Sequence, residues 1–224
     1  MKILMILICL FTFHARGAGI GSIGFSGITG LESTATNSAG KSYFEGKGTL
    51  GYNIGVEVPL LRNFFSVGGN FIYGRMEGKS QYRDYKTNLQ VNDQLSHLSN
   101  SNVFLGAKIR PINFKHLKIF TGAGVFAGNT KLRHDTADYI EKHGALPSNF
   151  KEIEKGKSAG HYYEAGAEII FSKSSGIRLT GQLLNNHSDR FQTLNNKPIN
   201  GTYGIYSIQY IHYSDAVLPG LNKK

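Results

Sequence analysis

An all-β chain folded as a single antiparallel up-and-down eight-stranded transmembrane β-barrel is the fold class that three features of the sequence predict. Eight segments alternate residue by residue between apolar and polar or glycine positions, short connections alternate with long ones, and an export leader precedes them. The 224 residues suit one domain, and the 28 glycines are nearly double the usual ~7% share. Aromatic residues at 12% and charged residues at only 18% give the chain enough apolar surface to offset the entropy of folding.

The leader sets the compartment. Lys2 precedes an apolar run from Ile3 to Phe13 and the small-residue stretch Ala15-Arg16-Gly17-Ala18, the pattern of a secretory signal peptide over residues 1–17. The run is too short for a membrane-spanning anchor, which needs ~18 or more apolar residues. Cleavage after Gly17 would leave a barrel over 18–213 and a short tail over 214–224, and would lower the formal charge from +10 to +8 by removing Lys2 and Arg16. Cys9, the single cysteine, would leave with the leader, so the mature chain is expected to hold no disulfide and no cysteine metal site.

The alternation is clearest in five segments. Tyr52, Ile54, Val56 and Val58 oppose Gly51, Asn53, Gly55 and Glu57; Phe65, Val67, Gly69, Phe71 and Tyr73 oppose Ser66, Gly68, Asn70, Ile72 and Gly74. Val103, Leu105, Ala107 and Ile109 oppose Phe104, Gly106, Lys108 and Arg110. Tyr163 to Ile169 and Ile177 to Leu183 repeat the pattern, and Ser22 to Leu31, Leu117 to Gly128 and Tyr203 to Tyr213 complete the set less cleanly. A period of two is the signature of a strand with one face toward each environment. Links at Pro59–Asn63, Pro111–His116 and Ser172–Gly176 are short, whereas Glu32–Lys47, Glu77–Asn100, Asn129–Gly160 and Asn186–Gly201 are long. Short turns on one side and long loops on the other form the layout of a bacterial outer-membrane barrel, with both chain ends on the periplasmic side.

The glycine–aromatic strands Leu50-Gly-Tyr-Asn-Ile-Gly-Val56, Phe120-Thr-Gly-Ala-Gly-Val-Phe126 and Tyr163-Glu-Ala-Gly-Ala-Glu168 carry a resemblance. From about Ser22 to Tyr213 the chain resembles the small eight-stranded bacterial outer-membrane barrels, the superfamily of the OmpA transmembrane domain and the OmpX-like and OmpW-like proteins. Such barrels usually end on an aromatic that the assembly machinery reads; here Tyr213 is followed by Ser214 to Lys224. A soluble lipocalin-like barrel is the rival reading of the composition, and its Gly-x-Trp signature is impossible in a chain without Trp.

With the apolar faces toward lipid, Glu57, Glu164 and Glu168 and the bases Lys108, Arg110 and Arg178 face a lumen just wide enough to be filled by side chains. Three acids against three bases predict an internal ion-pair network, because a buried unpaired charge carries a desolvation penalty of several kcal/mol. Strand polarity places Glu164 toward the loops and the other five toward the periplasm. A structural plug is the expected role, and a gated ion path the alternative. Tyr52, Phe64, Phe65, Tyr73, Tyr162, Tyr163, Phe171, Tyr203 and Tyr213, near the strand ends, are expected to form interfacial girdles.

The loops hold most of the charge, with Lys79, Arg83 and Lys86 in the second and Lys131, Arg133, Lys142, Lys151, Lys155 and Lys157 in the third. Such a surface would be drawn to lipopolysaccharide phosphates, although Asp135, Asp138, Glu141, Glu152 and Glu154 make the third loop mixed. Short helices are expected over Asp135–His143 and Ser148–Lys155, stopped by Gly144 and Gly156. The histidines outside the leader, at 97, 116, 134, 143, 161, 187 and 212, show no metal-ligand spacing, so no metal or cofactor is expected. Nucleic-acid binding has little support behind a signal peptide.

Asn185-Asn186-His187-Ser188-Asp189 resembles, loosely, the His-x-Ser-Asn element of outer-membrane lipid A deacylases. Adjacent residues of a strand point to opposite faces, so His187 and Ser188 would need a turn to meet. The expected function is therefore non-catalytic: a monomeric outer-membrane barrel, structural or binding lipopolysaccharide or a cell-surface partner through its loops. The alternatives are a deacylase-like lipid A hydrolase using His187 and Ser188, and a small channel for hydrophobic solutes.

Overall fold

The computed structural model describes residues 19–29, 32–37, 40–48, 50–61, 64–84, 90–146, 152–186 and 201–214. The leader, most of the tail, and His187 and Ser188 lie outside the described residues. Ten strand segments follow in order: β1 (Ile20–Thr29), β2 (Glu32–Asn37), β3 (Gly40–Gly48), β4 (Leu50–Leu60), β5 (Phe65–Asp84), β6 (Gln90–Asn113), β7 (Leu117–His134), β8 (Ile153–Ile170), β9 (Ser175–Asn186) and β10 (Gly201–Tyr213). Among the described residues one helix, α1 (Thr136–His143), lies between β7 and β8.

Every pairing is antiparallel. β5 pairs with β3 through Gly48↔Met76 and with β4 from Tyr52↔Tyr73. β3 and β4 are thus one wall strand with a break, and β1 and β2 are another. The ten segments therefore form eight wall strands, and the β5–β6 ladder closes them into a barrel. β1 pairs with β10 from Ile20↔Tyr213 to Thr29↔Gly204, and beyond that seam the Gly19 N–H donates to Ser214 Oγ at 2.8 Å.

The lipid-facing set follows from the alternation. Ile23, Phe25, Leu105, Val125, Tyr163, Leu183 and Ile208 are all exposed on the outer face. On β5 the outward run Phe65 to Tyr73 covers roughly 26 Å of strand at ~3.3 Å per residue, the scale of a barrel's apolar band. Phe64, Phe114 and Phe171 at the short turns mark its lower edge, and the Tyr52–Tyr73 stack, 5.2 Å between ring centroids, belongs to the upper region. Three of the aromatics expected in the girdles face inward instead: Tyr162, Tyr203 and Tyr213 are buried. They share the parity of Glu164, Ser207 and Gln209, so the wall pleat points them to the lumen.

The expected long loops are in large part strand. Glu32–Asn37 and Gly40–Gly48 form a hairpin, and β5 and β6 stay paired out to Arg83↔Gln90. Continuing the ladder into water keeps backbone donors and acceptors satisfied. The wall is consequently uneven: β6 has 24 residues, whereas β9 has 12 and β10 has 13.

Of the two expected helices, the first forms. The Asp135 side chain accepts from the N–H groups of Ala137 and Asp138, and Gly144 closes the helix at φ 82°. The second does not extend to Lys155, because Ile153 onward pairs with β7 through Arg133↔Ile153 and Gly156 sits inside the strand. Asp138 anchors α1: its carboxylate accepts from the Leu95 N–H at 2.9 Å and lies 2.8 Å from Lys142 Nζ. Partial burial works to raise its pKa, but Lys142 and the Leu95 N–H together hold it below the ordinary aspartate value. The anchor is therefore complete above the ordinary value of ~3.9 and lost as pH falls through the lower folded value. Amide exchange in α1 is expected to keep its protection from neutral pH down to about pH 4 and to lose it below, with Asp138→Asn weakening it throughout. Unchanged protection in Asp138→Asn would remove Asp138 from this role.

Candidate functional site

Glu57 enters the lumen from β4, Lys108 and Arg110 from β6, Glu164 and Glu168 from β8, and Arg178 from β9. Each occupies the inward parity of its strand, and the structure brings all six together. Arg110 Nη2 lies 2.7 Å from Glu57 Oε2 and 3.0 Å from Glu168 Oε1. Arg178 spans the same two carboxylates, with Nη1 2.6 Å from Glu57 Oε1 and Nη2 2.8 Å from Glu168 Oε1. Two guanidiniums and two carboxylates thus form a closed ring of charge-assisted contacts, which are shorter and stronger than hydrogen bonds between neutral groups. Lys108 Nζ extends it upward, 2.6 Å from Glu57 and 3.3 Å from Glu164. Glu164, on the loop side of the ring, also accepts from Gln182 Nε2 at 3.3 Å.

Several members were not singled out by sequence reasoning. Ser66 Oγ accepts from Arg110 Nη1 at 2.9 Å and donates to Glu57. The Tyr213 hydroxyl donates to Glu168 Oε2 at 2.6 Å. Lys118, which pairs directly opposite Glu168 in the β7–β8 ladder, is a further buried cation and lies over the Tyr213 ring at 4.4 Å. The signal for Lys118 is parity: it falls in step with Phe120, Gly122 and Gly124 once the register of β7 is known. Phe120 supplies a ring face to two cations, with Lys108 Nζ at 5.1 Å and Arg178 Cζ at 5.5 Å.

Glycine makes the ring possible at two places. A Cβ on Gly68 would stand 2.8 Å from Glu57 Cγ, and one on Gly122 would stand 2.9 Å from Glu164 Oε1 and 3.0 Å from Lys108 Cγ. Both positions sit where a long charged side chain crosses the wall. The cavity left beside the network is about 20 Å³, enough for a water molecule and little more.

The lumen is not polar throughout, contrary to the simple reading of one greasy and one polar face. Above the charges lies a polar layer in which Gln209 donates to Asn53 at 2.8 Å and Asn53 to Ser26 at 2.7 Å. Higher still the interior is mixed: Ile72, Met76, Leu98, Phe104, Phe126, Leu132, Leu184 and Ile205 are buried together, and Asn100, Asn102, Thr130 and Ser158 are buried among them, with Ser158 donating to Asn102. Phe104 stacks on Phe126 at 5.4 Å and meets Tyr162 edge-on at 5.2 Å. The barrel core is therefore stratified, with the charged stratum covered on the loop side by packed hydrocarbon and hydrogen-bonded polar side chains.

This is the fold of the small eight-stranded outer-membrane β-barrels. No protein-family model and no curated protein matches the sequence; solved structures do. The outer membrane protein OprG from Pseudomonas aeruginosa superposes with a TM-score of 0.56 at 10% identity, over 88% of this chain and 96% of that one. Ail, the attachment invasion locus protein of Yersinia pestis, was solved in complex with the heparin analogue sucrose octasulfate. It matches at a TM-score of 0.48 and 14% identity, over 88% of this chain and 99% of that chain. Neisserial surface protein A gives 0.45 and 10%, over 88% and 97%.

Proposed function

We propose that this protein is a non-catalytic barrel of a bacterial outer membrane that works from its outer surface, binding lipopolysaccharide or a cell-surface partner. The observation that carries this reading is the contrast between a filled lumen and a tall external wall. The ring of Glu57, Arg110, Glu168 and Arg178, with Ile20, Ile170, Ile211 and Tyr213 packed below it, fills the lower lumen with side chains. Outside the band, β5 to β8 present exposed charged side chains, among them Arg75, Lys79, Lys131, Arg133, Lys155 and Lys157.

The lipid A hydrolase reading rests on His187 and Ser188, which lie outside the described residues. A small channel for hydrophobic solutes draws support from the apolar side chains of the upper interior, yet those side chains pack on one another and share the space with buried Asn100, Asn102 and Ser158. The refolded barrel in planar bilayers is expected to give no discrete conductance steps and to bind purified lipopolysaccharide. Stable single-channel openings, or loss of an acyl chain from lipid A that Ser188→Ala abolishes, would replace this reading.

A further inference from the structure

The upper end of the tall wall, beside the start of α1, carries a pocket of about 250 Å³ lined by the outward-facing Arg75, His97 and Arg133, by Asp135, Thr136 and Glu152, and by the buried His134. It has no part in the lumen network. Ladder register brings its first three residues together: Arg75 pairs opposite Ser99, and the next outward row is Glu77↔His97↔Arg133. Its height on the wall is set by the apolar band. On β5, Arg75 is two residues past Tyr73, ~7 Å further along the strand. On β7 the outward residues Val125 and Ala127 give way to Lys131 and Arg133, and on β8 Tyr163 gives way to Lys157 and Lys155. The change from apolar to basic thus falls on three strands at the end of the lipid-facing run.

Carboxylates offset part of the charge. Glu152 Oε1 lies 2.9 Å from Arg133 Nη2, Glu77 Oε1 lies 3.5 Å from His97 Nδ1, and Asp135, at the pocket rim, caps α1. Among the residues that line the pocket Arg75 and Arg133 balance Asp135 and Glu152; the positive charge comes from the adjoining outward row, where Arg75 pairs opposite Ser99, Ser99 opposite Lys131 and Lys131 opposite Lys155. Arg133 donates to Glu152 Oε1 from both Nε, at 3.0 Å, and Nη2, at 2.9 Å, but the pair is well exposed, where water screens the attraction and the two hold each other weakly. Arg133 can therefore turn to a stronger anion, for which a guanidinium offers paired donors.

We propose that the pocket at Arg75, His97 and Arg133 binds a lipid-borne phosphate of the outer leaflet, the group that lipopolysaccharide carries at this level. The inference rests on the reading of an outward-facing binding surface and gives that surface a ligand class. A free anion would have no need of a site on the membrane-facing wall at the edge of the apolar band. A phosphate on a lipid is delivered there by its own acyl chains.

The test uses the refolded full-length mature barrel in detergent, titrated with purified lipopolysaccharide, with the same material enzymatically dephosphorylated, and with inorganic phosphate as competitor. Heat-dependent gel mobility checks the fold of every variant. Arg75→Glu with Arg133→Glu is expected to weaken binding of intact lipopolysaccharide at least tenfold, and dephosphorylation to have a similar effect on the unaltered protein. The milder pair Arg75→Gln with Arg133→Gln should fall between, and Lys173→Glu, at the opposite rim, should bind as the unaltered protein does. If the unaltered protein binds intact and dephosphorylated material equally, or the double variants bind normally, the pocket is not the site and the surface-binding reading stands. If inorganic phosphate competes at concentrations like those of the lipid, the lipid source is wrong. Absence of any binding by the unaltered protein overturns the pocket and the lipopolysaccharide reading together.

Discussion

Glu168→Ala is expected to lower the unfolding free energy by about 3–5 kcal/mol, the range for removing one partner of a buried ion cluster. Glu168 is fully buried and takes contacts from both guanidiniums and from the Tyr213 hydroxyl. Without it, Arg110, Arg178 and nearby Lys118 would share the carboxylate of Glu57, leaving positive charge uncompensated in a site shut off from water. Glu168→Met combined with Arg178→Met should recover much of the loss, because exchanging both partners for apolar groups removes the desolvation cost along with the attraction. Denaturant titration of the barrel in lipid vesicles measures both. A Glu168→Ala variant as stable as the parent would mean that the ring contributes nothing to holding the barrel.

Leu105→Arg is expected to cost about 2–4 kcal/mol, the penalty for a cation near the middle of the lipid face. Leu105 is 57% exposed, sits opposite Gly69 and Val125, and lies well inside the outward run from Val103 to Ile109. Val67→Arg should behave similarly. Ser99→Arg supplies the depth control, since Ser99 projects outward beyond the apolar band and an arginine there joins Arg75 and Lys131. The same unfolding titration should therefore separate Leu105→Arg from Ser99→Arg by most of the stated range. Equal stability of the two would place Leu105 outside the bilayer.

The wall was legible in the sequence because a strand between lipid and lumen must alternate, and β4, β5, β6, β8 and β9 do so almost without exception. The network was legible for the same reason: Glu57, Lys108, Arg110, Glu164, Glu168 and Arg178 stand on polar faces. What escaped depended on registers that alternation leaves open. On β7, apolar residues occupy both parities, so Lys118 and Phe120 declared their inward direction only through pairing with β8. On β10, Ile205, Ile211 and Tyr213 face inward and Ile208 and Tyr210 outward, so hydropathy alone does not name the faces. The hydrocarbon of the upper lumen was hidden because a closed interior can be filled by apolar side chains as well as by charge. The strand extensions past the membrane were read as loops, since a ladder standing in water needs no greasy face to mark it.

The seam between the first and last strands also bears on how the barrel comes together in time. Most wall contacts join consecutive strands, but Gly19 meets Ser214 across 195 residues of chain. The entropy of closing so long a loop makes this contact costly to form before the hairpins have gathered the ends. Ring members come from β4, β6, β8 and β9, on both sides of that seam, so Glu57 reaches Arg178 only when the circle is nearly shut. Until then the charges lie in an open trough beside water, and their full pairing arrives with closure. The ring thus adds its stabilisation late, in the step that turns a curved sheet into a barrel.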